Sequence, residues 1–177
     1  VDILAYLHTQ GCELDLTTVD IAMECGSIKC LRFLHDHGCT FHSSCMSRAA
    51  RAGQVEVVKF LHSIGVSFHP YYTMDYASVS GSLELIQFLF SAGYLWSDEV
   101  CPQFALQGNL ACLAYAHENG APWGPYVCAI AALKGHLHCL EYAHTHGCPW
   151  DTDTTYFAAS YGHIHCLRYA RERGCPL

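Results

Sequence analysis

Basic residues are scarce in this chain. Nine lysines and arginines stand against sixteen aspartates and glutamates, a net charge of -7 with histidine neutral. A duplex nucleic-acid binder needs a positive stripe along the phosphates, so nucleic acid is not the expected partner. Long apolar runs are missing as well: none approaches the ~18 residues of a membrane span, and no membrane association is expected. The start, Val1-Asp2-Ile3, lacks the basic segment and apolar core of a secretory signal, so none is expected. There is no Gly-x-Ser-x-Gly elbow, phosphate-binding loop or His-Glu-x-x-His pair. The one adjacent acidic pair, Asp98-Glu99, fits the first turn of a helix better than a catalytic pair. No enzyme activity, catalytic residue, cofactor or metal is therefore expected.

What is present is apolar and periodic. Hydrophobic residues make up 51% of the chain and charged ones 14%, enough for a continuous core. Glycines recur at Gly26, Gly53, Gly81, Gly108, Gly135 and Gly162, in successive steps of 27, 28, 27, 27 and 27 along the chain. A second series, Gly11, Gly38, Gly65, Gly93, Gly120, Gly147 and Gly174, follows the first by twelve residues. Only Gly124 of the fourteen glycines stands outside the two ladders. A repeat of this length is one supersecondary unit stacked on its copies.

Each unit reads as two helices. Behind the first glycine, aliphatic residues at the second, fourth and fifth positions and an aromatic at the seventh make one face of a helix. That aromatic is Tyr6, Phe33, Phe60, Phe88, Tyr115, Tyr142 and Tyr169 in turn. The first full second helix is expected over Ser27–His37. The second glycine falls just past its last periodic residue, where a left-handed conformation ends a helix. Ahead of the first glycine runs another helix with small pairs, Ala49-Ala50, Ala131-Ala132 and Ala158-Ala159, that let neighbours approach. Asp151, Ser97 and Ser43 stand where its N-caps are expected. A unit this short cannot bury its own apolar face, so the fold class expected is an all-α solenoid of stacked helix-turn-helix repeats.

The segment GHLHCLEYAHTHGCPW, Gly135 to Trp150, resembles the second half of an ankyrin repeat, with its GHLxVVxxLLxxGAxV pattern. The chain is identified as a member of the ankyrin repeat family, in a short form of the GHLxCLxYAHxxGCPWD type that keeps the period of the glycine ladders. The Thr-Pro-Leu-His opening of the first helix is absent, and the period is about six residues short of an ordinary ankyrin repeat. The shortage falls after Trp96, Trp123 and Trp150, where ankyrins project a β-hairpin finger, so the fingers are expected to be shortened or absent. The resemblance covers all 177 residues: a partial repeat over 1–12, then six units marked off by the glycines. One repeat domain is expected over 1–177, as a piece of a longer array whose apolar ends favour end-to-end self-association.

Twelve cysteines and thirteen histidines invite a metal or disulfide reading. The cysteines, however, are locked to the repeat. Cys30, Cys112, Cys139 and Cys166 share a position with Ile3, Val57 and Leu85, and Cys12, Cys39, Cys148 and Cys175 follow the second glycine. A residue that alternates with Val, Leu and Ile acts as a small hydrophobe. Free thiols in this number imply a reducing compartment, hence an intracellular location in the cytoplasm or nucleus. His8, His35, His62, His117 and His144 share a position near the end of the second helix, where an imidazole can bond free carbonyls or meet the helix dipole. Trp96, Trp123 and Trp150, in register with Leu14, Phe41 and Phe68, are expected to cover helix ends. The one longer unit holds its extra residue in Ser67-Phe68-His69-Pro70-Tyr71-Tyr72, a tolerated insertion or a protruding aromatic contact.

In a solenoid the partner is read by positions that vary between units. On the first helix these give a mixed apolar and tyrosine-rich set: Tyr72, Asp75, Val79, Pro102, Leu106, Gln107, Tyr126, Leu133, Lys134, Tyr156 and Tyr161. Tyrosine-rich composition is that of interface hot spots. The function expected is a non-catalytic scaffold that binds a partner protein on the concave face of its first helices. Two further readings stay open: a peptide- or nucleic-acid-recognising adaptor, and a metal-dependent domain using the His/Cys cluster.

Overall fold

The computed structural model describes residues 1–66 and 69–176. Ser67 and Phe68, in the stretch with the extra residue, lie outside the described residues. A leading helix, α1 (Asp2–Thr9), is followed by six helical pairs, and no strand occurs among the described residues. The first helices are α2 (Leu16–Glu24), α4 (Ser43–Arg51), α6 (Pro70–Ser80), α8 (Val100–Gln107), α10 (Pro125–Lys134) and α12 (Thr152–Ser160). The second helices are α3 (Ile28–Asp36), α5 (Val55–Ser63), α7 (Leu83–Ser91), α9 (Leu110–Glu118), α11 (Leu137–Thr145) and α13 (Ile164–Glu172). The helix expected over Ser27–His37 thus starts and ends one residue inside those limits, with Ser27 and His37 as its caps.

Small residues set the spacing of the stack. Cys45, Met46, Ala49 and Ala50 of α4, and Val127, Cys128, Ala131 and Ala132 of α10, are buried between neighbouring first helices. From α4 onward, successive first helices pack against one another more extensively than successive second helices do. The second helices add the large side chains: Leu31, Leu61, Leu85, Leu113 and Leu140 are fully buried. One apolar cluster runs from Val19 to Cys166. The aromatic of the seventh position lies at its edge instead of its centre. Only Phe60 is buried, the others from Phe33 to Tyr169 are half-buried, and Tyr6 on α1 is exposed.

Helix starts follow local hydrogen bonding, with two departures from expectation. Asp151 caps α12, its carboxylate accepting from the Asp153 N–H at 3.0 Å. Ser43, by contrast, is the first residue of α4, behind His42. Ser97 stands three residues ahead of α8, two before its N-cap Glu99, where its hydroxyl accepts the Glu99 N–H and donates to the Asp75 carboxylate of the previous unit. A serine hydroxyl offered a carboxylate acceptor across the unit boundary makes a stronger bond there than to its own helix.

All twelve cysteines are free, and eight are buried. Three of the four thiols after the second glycine are more than small hydrophobes, because they donate to a carbonyl of the previous loop. Cys148 Sγ reaches Gly124 O at 3.2 Å, Cys175 reaches Asp151 O at 3.2 Å, and Cys39 reaches Leu14 O at 3.7 Å. Burial pushes Cys112 and Cys139 up to about 11 and Cys101 up to about 12, so these thiols stay protonated at neutral pH.

Candidate functional site

Ten of the eleven variable positions fall on the first helices and Tyr161 lies just past the end of α12, as its C-cap, and they do not share one exposure. Tyr72, Val79, Leu106, Tyr126, Lys134, Tyr156 and Tyr161 are exposed, while Asp75, Pro102, Gln107 and Leu133 are half-buried. Three tyrosines stand out most, with Tyr126 69%, Tyr156 64% and Tyr161 62% accessible. Two of the eleven are engaged inside the stack. Gln107 Nε2 donates to the carbonyls of Ser78 and Val79, at 3.1 and 2.8 Å, and Asp75 is held by Ser97. A side chain that satisfies carbonyls of the neighbouring unit is part of the framework, and its variation in sequence follows the turn it covers.

Pro102 and Tyr126 meet at a concavity of about 520 Å³ between two units. Its walls are Trp123, Tyr126, Ile130 and the two prolines Pro102 and Pro122, and Asp98 and Glu99 stand at its rim. The acidic pair lies just ahead of α8, with both side chains exposed. In sequence, Asp98 reads as a helix-turn residue and Trp123 as a helix-end cover, whereas Glu99 already stands in the variable row nine residues before a first-ladder glycine, as Tyr126 does in the next unit. Of the longer unit's stretch, His69 stacks on Tyr72 with centroids 4.1 Å apart, and both are exposed.

On the second helices, His117 and His144 turn toward aromatic neighbours instead of toward helix-end carbonyls. His117 lies flat on Trp123 and His144 on Trp150, centroids 3.7 Å apart in both, with interplanar angles of 14° and 10°. Each ring also meets the next unit's tyrosine edge-on, Tyr142 at 6.1 Å and Tyr169 at 5.7 Å. Phe90 replaces the histidine in its unit and stacks on Trp96 at 5.0 Å. The ring is turned along the stack because an aromatic face is available there, and His144 Nδ1 also keeps a hydrogen bond with the Tyr169 hydroxyl at 2.9 Å. The bonds to helix-end carbonyls come instead from His37, to Phe33 O, and His146, to Tyr142 O, both at 2.8 Å. Burial, then the neighbouring charge of His146, holds His117 below the ordinary imidazole range. Burial, then Arg173, does the same for His144. Among the described residues no group of three or more His, Cys, Asp or Glu side chains is arranged to hold a metal ion. No helix among them is long and apolar enough to cross a membrane.

No known protein family's sequence profile matches this chain, and no curated protein matches it. Its likeness to known proteins is one of structure. It is similar to the crystal structure of the human ASB11 ankyrin repeat domain, with a TM-score of 0.64 and 19% sequence identity. That match covers 73% of this chain and 69% of the other. At such identity the shared property is the backbone arrangement, paired helices stacked at a fixed period. The chain has the fold of an ankyrin-repeat stack.

Proposed function

We propose that this chain is a non-catalytic scaffold that holds a partner protein against the free side of its first helices. Ankyrin-repeat stacks generally serve protein interaction and are generally not catalytic. Closer packing of the first helices than of the second supports a curvature toward the first-helix side. The observation that carries the reading is the separation of the two kinds of position. Repeat-locked residues such as Leu113, Ala132 and Leu140 are buried, whereas the variable Tyr126 and Tyr156 stand out on the first helices and Tyr161 just past the end of one. Exposed tyrosines give a partner large, stiff contact area at low entropic cost. Eight buried free thiols support a reducing, intracellular setting.

Affinity capture from native lysate tests this when run with paired variants. A partner captured by the native chain should be lost with Tyr126→Ala/Tyr156→Ala, at nearly unchanged melting temperature. It should be kept with Glu141→Ala/Arg168→Ala, on the exposed side of the second helices. Leu140→Ala, a fully buried truncation, should instead cost about 2–5 kcal/mol of stability. Loss of the partner with the second-helix pair and retention with the tyrosine pair would put the binding face elsewhere.

A further inference from the structure

The net charge is not spread evenly over the stack. The first helices and the loops leading into them carry nine of the sixteen acidic side chains and three of the nine cations. The rest of the chain carries seven acids and six cations, close to balance. Of the three cations on the first-helix side, Arg48 is already held by Asp20 and Glu24. Six of the seven net negative charges therefore belong to the first helices and their leading loops, the segments that carry Tyr72, Tyr126 and Tyr156.

The acids and tyrosines also share a register. Counting nine residues back from successive first-ladder glycines gives Tyr72, Glu99, Tyr126 and Asp153, a row in which ring and carboxylate alternate. All four are exposed. Adjacent helices pack roughly 8–10 Å apart, and an extended peptide advances ~3.3 Å per residue. Three residues of extended chain thus span about one unit. Cationic side chains six residues apart would meet Glu99 and Asp153, with Tyr126 between them. The concavity beside Tyr126 joins the two chemistries that hold a guanidinium: aromatic rings, those of Tyr126 and of Trp123, one face of which His117 covers, and the carboxylates of Asp98 and Glu99.

Building on the scaffold reading, we infer that the partner presents an extended, arginine-bearing basic segment along the row Tyr72, Glu99, Tyr126 and Asp153, with one guanidinium lodged between Trp123, Tyr126 and the Asp98-Glu99 pair. The ring faces supply attraction that survives salt. The carboxylates supply attraction that salt screens over a Debye length of about 10 Å at 0.1 M.

Titration with two capped synthetic peptides, acetyl-(Arg-Gly-Ser)4-amide and acetyl-(Glu-Gly-Ser)4-amide, tests this by tryptophan fluorescence and calorimetry. The arginine peptide should bind saturably at low salt and the glutamate peptide should not. Asp98→Asn/Glu99→Gln and Tyr126→Ala should each weaken binding roughly tenfold. Asp36→Asn/Glu118→Gln, on the second helices, should leave it unchanged. Equal binding of both peptides, no binding of the arginine peptide, or equal loss with the second-helix pair would overturn the proposal. So would single-stranded oligouridylate binding in place of the arginine peptide, which points to a nucleic-acid partner. The scaffold reading fails separately. If a captured partner depends on Tyr126 and Tyr156 but is indifferent to Asp98→Asn/Glu99→Gln, the scaffold stands and the basic segment does not.

Discussion

Gly135 and Gly147 turn the same unit twice, twelve residues apart, and their backbones barely differ. Their φ angles are +74° and +83°, and each turn closes with the next residue's N–H on a carbonyl five residues back. His136 N–H reaches Ala131 O at 2.8 Å in one, and Cys148 N–H reaches Ala143 O at 2.9 Å in the other. What stands over them is different. A Cβ on Gly135 would lie 2.5 Å from Nδ1 of His163, whose ring closes down from the next unit. A Cβ on Gly147 would meet nothing within 4 Å. One glycine serves its own backbone, whereas the other also serves the contact between units.

Gly135→Ala is the sharper way to break that contrast. The left-handed backbone costs an alanine roughly 1–2 kcal/mol. The His163 ring must also move off, giving up the bond its Nε2–H donates to Leu133 O at 2.9 Å, worth about 1 kcal/mol. Urea unfolding should show a loss of about 2–3 kcal/mol. Adding His163→Ala to that variant should cost far less than His163→Ala alone. Strict additivity in the cycle would mean that the ring does not cover the glycine. Gly147→Ala should lose only the backbone share, about 1–2 kcal/mol, and Gly147→Asn still less, because asparagine tolerates this conformation. A Gly147→Ala loss as large as that of Gly135→Ala would erase the distinction.

Acid should bring out a smaller effect on the stacked side of the same units. His117 and His144 are held below their ordinary value of 6.5 in the folded chain. The unfolded chain therefore takes up those protons first as the pH falls. Stability is expected to be level above about 6.5 and to decline below it, as the neutral rings on Trp123 and Trp150 become costly to keep. The melting temperature should fall between pH 7 and 5, and His117→Phe should flatten that fall, much as Phe90 already stacks on Trp96. A melting temperature that rises on acidification would contradict the stacking account.

Most of the fold was legible in the residues. The glycine period, the aliphatic offsets behind each glycine and the small pairs ahead of it carry the helix limits to within a residue, as α3 shows. The candidate site was legible only in part. Tyr126, Tyr156 and Tyr161 are legible because they break the repeat, and all three are exposed, two on first helices and Tyr161 at the end of one. Gln107 also breaks the repeat, yet it covers the carbonyls of Ser78 and Val79. Nothing within its own unit announces that partner, which lies 28 and 29 residues away. Trp123 and Asp98 were passed over for the converse reason: each looks like routine helix-end chemistry until two units are set side by side.

The sequence by itself determined the period, the pairing of helices, the left-handed glycines and the apolar face of every helix. Those follow from backbone sterics and side-chain periodicity within about a dozen residues. Only the tertiary structure decided which glycine is covered, that the histidines lie on tryptophans instead of on helix-end carbonyls, and that an acidic pair edges an aromatic concavity. Each of these is a contact between units, a full repeat apart in sequence and adjacent in the stack. It depends on which way a ring or carboxylate turns at the boundary, and neighbouring surfaces set that direction where local propensity does not.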